Sequence, residues 1–182
     1  KGYLIDKYTQ GEGVNFKDNQ IRKWNNLFLP PELTRGIFSF LIQHTEGKLP
    51  LPKAFKNSSL SKLDHLVVNT NDADGFIKVY KDVFGIRLAL DKVIEHWKSR
   101  MLFFRLNKTT IEVIEKKDDK EPNDKLWGLA WEVENIKAAH DRLVSEGVDV
   151  TPVKEGIKEN TLVATINSHT CNVPTLIIEH LK

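Results

Sequence analysis

The chain contains one cysteine, Cys171, and one methionine, Met101. A single thiol excludes an internal disulfide framework and suits a reducing compartment, so a cytoplasmic protein is expected. Cys171 has only His169 as a basic neighbour and reads as a turn residue, not as an activated thiol. No apolar run is long enough to cross a bilayer and no signal-peptide pattern is present, which argues against membrane insertion. An excess of one charge sign is missing too: 27 Lys and Arg stand against 25 Asp and Glu. Lys116, Lys117 and Lys120 alternate with Asp118, Asp119 and Glu121, a solvated loop and not a nucleic-acid patch. The first residue is Lys1 and not methionine, as expected of a processed or truncated sequence.

What the chain does have is an internal repeat, the kind of signal that sets an architecture. Leu63-Asp64-His65-Leu66-Val67-Val68 reads as a strand. Asn71-Asp72 then caps a helix with apolar positions Phe76, Ile77, Tyr80, Val83 and Phe84, which stops at Gly85. The pattern returns as Trp127-Gly128-Leu129-Ala130-Trp131-Glu132-Val133. Here Asn135 caps a helix carrying Ile136, Ala139, Leu143 and Val144, which stops at Gly147. Side-chain caps, helical spacing and terminal glycines agree in both copies. Three β-rich runs follow each helix: 87–90, 100–106 and 110–115 in the first copy, and 148–153, 161–166 and 175–179 in the second. Each copy therefore reads β-α-β-β-β, and the charged stretch 116–125 links them. Helices covering one side of an antiparallel-rich sheet make this an α+β protein.

Residues 1–57 differ. Val14-Asn15-Phe16 and Ile21-Arg22-Lys23-Trp24 flank a turn at Asp18-Asn19-Gln20, and Gly36 to His44 echoes Asn172 to His180. This segment reads as the back half of another copy without its leading strand and helix. Pro30-Pro31 marks a break, and Leu49 to Lys62, with Pro50 and Pro52, reads as a linker. Such a three-strand remnant has open edges and is expected to pair with the main domain or with another chain. The expected domains are 1–57, a partial module with linker, and 58–182, built of modules 58–120 and 121–182.

The doubled β-α-β-β-β order, opened by Asp64-His65-Leu66-Val67 and closed by Ile111-Glu112-Val113-Ile114-Glu115, resembles the vicinal oxygen chelate superfamily. That group includes glyoxalase I, extradiol dioxygenases, methylmalonyl-CoA epimerase and bleomycin-resistance proteins. The resemblance covers about residues 60–182 and implies two modules whose curved sheets enclose a cleft. It also implies metal ligands on first and last strands: His65 and Glu112 in the first copy. Imidazole and carboxylate suit a divalent Mn, Fe, Ni or Zn with open positions for two substrate oxygens.

In the second copy the position equivalent to His65 is Gly128, which has no ligating side chain. Its last strand has two readings. Glu179 matches Glu115, leaving Leu176 at the ligand position, or Glu179 is itself the third ligand. One residue of register separates the two, and register decides the face. Along the first strand, alternation places His65 on one side with Leu63, Val67 and Asn69. Phe103 and Trp127 are candidates for the substrate cleft, with core packing as the alternative for Trp127 beside Trp131. His96 next to Trp97 reads as a loop histidine near the cleft mouth. His169 is an ordinary turn histidine or a replacement ligand, and His44, His140 and His180 read as surface residues.

Two functions are consistent with these residues. One is a metal-dependent glyoxalase-like enzyme (lyase, isomerase or dioxygenase) that chelates a small oxygen-rich substrate, with Glu112 as general base. The other is a metal-free small-molecule binding protein of the bleomycin-resistance type. A homodimer is one way to complete the cleft.

Overall fold

The computed structural model describes residues 7–49, 56–95, 98–116 and 124–181. The chain divides into two units, Lys1–Lys53 and Ala54–Lys182. In the first, strands β1 (Thr9–Val14), β2 (Ile21–Phe28) and β3 (Phe40–Glu46) form an antiparallel sheet in that order. A one-turn helix, α1 (Pro31–Thr34), connects β2 to β3. The Pro30-Pro31 pair therefore does more than break a strand. Pro31 starts α1, where its missing N–H leaves no helical bond unmade. Trp24 on β2 lays its indole over Gly11 of β1, where any side chain would collide with it.

The second unit carries the repeat. Its first half is β4 (Leu60–Thr70), α2 (Ala73–Ile77), β5 (Arg87–Ile94), β6 (Ser99–Leu106) and β7 (Thr109–Glu115). Its second half is β8 (Lys125–Val133), α3 (Ile136–Ser145), β9 (Lys154–Glu155), β10 (Thr161–Ile166) and β11 (Thr175–His180). All eight strands join one curved, open sheet in the order β5-β6-β7-β4-β8-β11-β10-β9. First and last strands of each half are parallel, β4 with β7 and β8 with β11, and β4 pairs antiparallel with β8 to fuse the halves. This is an α+β fold of paired β-α-β-β-β modules.

Three local expectations shift. β4 starts at Leu60, inside the presumed linker, because its first residues pair with the end of β8 (Leu60 with Val133, Lys62 with Glu132). α2 widens into a π-helical turn over Lys78–Val83 before stopping at Gly85, whose φ is 68°. The strand expected over 148–153 shrinks to a single bridge, Val150 to Ile166, with β9 forming after it. Pro152 lies in that gap and has no N–H to give a ladder.

Both helices pack on the same face. α2 sets Phe76 and Tyr80, stacked with centroids 4.0 Å apart, against Phe104, above the fully buried Leu102 and Val113. α3 sets Ile136 and Ala139 on Val133, Ala164 and Ile177. Burying aromatic and branched side chains on that face fixes the strand register, since a one-residue slip would turn them to the other side. The opposite face carries His65 and Glu112.

Candidate functional site

Helix starts identify the true counterparts between the two halves. Asp72 caps α2 by accepting the Gly75 N–H (3.0 Å), and Asn135 caps α3 by accepting the Ala138 N–H (2.8 Å). Each helix also receives a carboxylate from the last strand of its own half. Glu115 accepts from Ala73 N at 3.2 Å, and Glu179 accepts from Ile136 N at 2.7 Å. A carboxylate suits the positive end of a helix and satisfies an N–H that has no intrahelical partner. Glu179 is thus the counterpart of Glu115 and points to the helix face. The structure does not bring it to His65 and Glu112.

On the opposite face, β7 places Glu112 beside Val67 of β4, while β11 places Leu176 beside Ala130 of β8. Leu176 therefore corresponds to Glu112, and Gly128 to His65. A Cβ at Gly128 would come within 2.8 Å of the Pro174 carbonyl oxygen, which itself accepts from Leu129 N at 2.9 Å. The second half fills that space with backbone.

The first half keeps a polar cluster, and a β-bulge builds it. Leu63 stands opposite Trp131 and His65 opposite Ala130, so Asp64 is an extra residue between consecutive partners. The bulge puts Leu63 on the other face from His65, correcting strict alternation, and swings Asp64 toward the histidine. Asp64 Oδ2 lies 2.8 Å from His65 Nδ1, and Asp64 Oδ1 lies 2.8 Å from His180 Nε2 at the end of β11. A carboxylate only accepts, so His65 Nδ1 and His180 Nε2 are the donors, and in the neutral imidazole this tautomer leaves the His65 Nε2 lone pair free. That Nε2 faces Glu112 Oε2 at 3.9 Å, too long for a hydrogen bond. Beyond His180, Glu132 Oε2 lies 3.7 Å from its Nε2 and 2.9 Å from Lys62 Nζ.

Charge distribution follows from these contacts. Burial pushes the Glu112 carboxyl above its ordinary range; the His65 ring works against this and the Asp64 charge reinforces it. Burial alone would raise Asp64 as well, but hydrogen bonds from His65 and His180 outweigh it and hold its carboxyl well below the usual range. One carboxylate is thus proton-hungry and its neighbour firmly ionised.

Phe103 stands directly beside Glu112 in the β6–β7 register. Trp127 is half-exposed and is the extra residue of a second bulge, between the Val67–Gly128 and Val68–Leu126 pairs. Asn69, two places beyond Val67 on the same strand, has a buried Oδ1 without a hydrogen-bond partner among the described residues. His169 lies in an exposed turn bonded to Ser168, and Cys171 is exposed. His96, Trp97 and the charged run 117–123 lie outside the described residues. Sequence reasoning missed Asp64, Glu132 and His180 as a group. An ionisable pair, Asp64-His65, inside an apolar strand was the available signal.

A metal shared by the two halves does not fit the equivalent positions. His65 and Glu112 offer two donors, whereas Gly128 and Leu176 offer none, and a catalytic ion ordinarily needs three protein ligands.

The fold has clear relatives. The family model described as Glyoxalase/Bleomycin resistance protein/Dioxygenase superfamily matches residues 64–165. Methylmalonyl-CoA epimerase from Mycobacterium tuberculosis is 20% identical with a TM-score of 0.57, covering 71% of this chain and 95% of its own. A Streptomyces coelicolor methylmalonyl-CoA epimerase variant in complex with 2-nitronate-propionyl-CoA is 16% identical with a TM-score of 0.55, covering 68% of this chain and 100% of its own. A hypothetical protein from Bacillus halodurans gives 16% and 0.55 over 66% and 95%. No curated protein matches the chain significantly by sequence. With its matched segment covering more than half of the chain and most of the doubled module, the chain belongs to the glyoxalase/bleomycin resistance protein/dioxygenase superfamily.

Proposed function

We propose that this protein is an isomerase-type enzyme that moves a proton on a small, oxygen-rich substrate bound on the sheet face opposite the helices. The observation that carries this reading is the Glu112–His65 pair. Burial raises the proton affinity of this half-buried carboxylate, the direction in which a general base gains strength. Beside it, His65 is held by Asp64 with its Nε2 lone pair open. The 3.9 Å gap leaves the pair unbonded to each other and free to engage a substrate. Glu112 takes a proton from carbon next to a carbonyl. His65 accepts a substrate hydroxyl hydrogen bond through Nε2, and Phe103 borders the same spot. The resemblance to epimerases that bind acyl-CoA derivatives suggests α-acidic thioesters as the first substrates to try.

The test is deuterium uptake from D2O into acyl-CoA esters with an acidic α C–H, starting with methylmalonyl-CoA, by wild type and Glu112→Gln. Uptake that the variant loses supports the reading. No uptake into any ester overturns it. The absence of donors at Gly128 and Leu176 favours a second reading, a metal-free binding protein. That reading gains if such ligands bind wild type and Glu112→Gln alike without exchange.

A further inference from the structure

The sites equivalent to His65 and Glu112 in the second half are empty of donors, yet that half does send two ligand-type side chains to the same face. Glu132 lies four residues beyond Gly128 on β8, and His180 four residues beyond Leu176 on β11. Even spacing keeps both on the face that Gly128 and Leu176 occupy, and with Glu132 beside Ile178 in the register, His180 stands two residues further along β11, on the diagonal from Glu132. The bulge at Asp64 brings a third donor from β4 to meet them. We propose that Asp64, Glu132 and His180 form a divalent transition-metal site, displaced along the sheet from the His65–Glu112 pair.

The geometry supports this beyond a chance meeting of acids. One ligand atom from each residue lies within 4.8 Å of the others, and all three side chains are half-buried. His180 Nε2 sits between two carboxylates, at 2.8 Å from Asp64 and 3.7 Å from Glu132. One imidazole and two carboxylates are a donor set for Zn, Mn, Fe or Co rather than for a purely oxygen-liking ion. The cluster already holds a cation: the Lys62 ammonium sits 2.9 Å from Glu132. The Lys62 side chain is partly exposed, and its flexible stem lets it turn out to solvent when an ion arrives. Asp64 then releases its hydrogen bond with His180, whose proton passes to Nδ1, while its other oxygen keeps His65 in place. The site does not depend on Glu112 acting as a base.

The test is titration of the full chain with Zn2+ and, separately, Co2+ near neutral pH, read by calorimetry and by Co2+ visible absorption. Wild type is expected to take a single ion. His180→Ala and Glu132→Gln should each weaken binding by about tenfold or more, and Glu112→Gln should leave it unchanged. Lys62→Met should tighten binding, a gain that misfolding cannot imitate. Absence of binding to wild type and Lys62→Met overturns the proposal. So does binding that is lost in Glu112→Gln but kept in His180→Ala, which would put the ion at the His65–Glu112 pair instead.

Discussion

Asp64 and His180, 116 positions apart, meet at 2.8 Å through a bulge in the first strand and the last residue of the final strand. Their bond ties the two halves together on the face opposite the helices. It also holds Asp64 in place to orient His65, so the second half, which supplies no counterpart to His65 or Glu112, still shapes the site.

Glu112 makes a prediction about pH. Its folded-state proton affinity is raised mainly by burial. A carboxyl raised on folding contributes stability fully below its unfolded value of 4.5 and loses it as pH rises through the folded value. At neutral pH the charged form is therefore a liability. Glu112→Gln should stabilise the protein near pH 7, by on the order of 1 kcal/mol, and the gain should vanish on acidification below the ordinary glutamate range. Thermal melting of both proteins across pH checks this. An equal difference at all pH values would contradict it.

Glu179 is expected to act on α3 and not on a ligand. Glu179→Ala removes the acceptor for the Ile136 N–H and should cost about 1 kcal/mol, as loss of a helix cap does. Glu179→Gln keeps an amide oxygen and should recover part of that. Zn2+ affinity should not change in either variant. A variant that melts like wild type but binds the ion less well would show the assignment to be wrong.

Gly128 is held to glycine by the Pro174 carbonyl. Gly128→Ala places a Cβ at 2.8 Å from that oxygen and should destabilise by about 1–3 kcal/mol, the usual effect of overpacking. Gly128→His, which would restore a donor at the position equivalent to His65, should fail to raise metal affinity, because the turn before β11 fills the space. Comparing denaturation midpoints and Zn2+ titrations of the two variants tests both statements.

Periodicity and capping chemistry were legible in the chain. Asn71-Asp72 and Asn135 announced two helices, and the paired glycines Gly85 and Gly147 ended them. The doubled module, its superfamily and the absence of donors at Gly128 all followed, because each depends on neighbours within one strand or helix. Glu112 and His65 were visible for the same reason. The sequence did not reveal which face Glu179 serves, since β11 takes its register from β8, forty-odd positions away. It did not reveal the bulge at Asp64 either. That extra residue exists only relative to Trp131 and Ala130 on the partner strand. The meeting of Asp64, Glu132 and His180 likewise needs three neighbouring strands from both halves of the sheet. By itself the sequence determined local structure and the repeat. Pairing between distant strands decided which polar side chains meet, because contacts across a sheet are set by register and not by spacing along the chain.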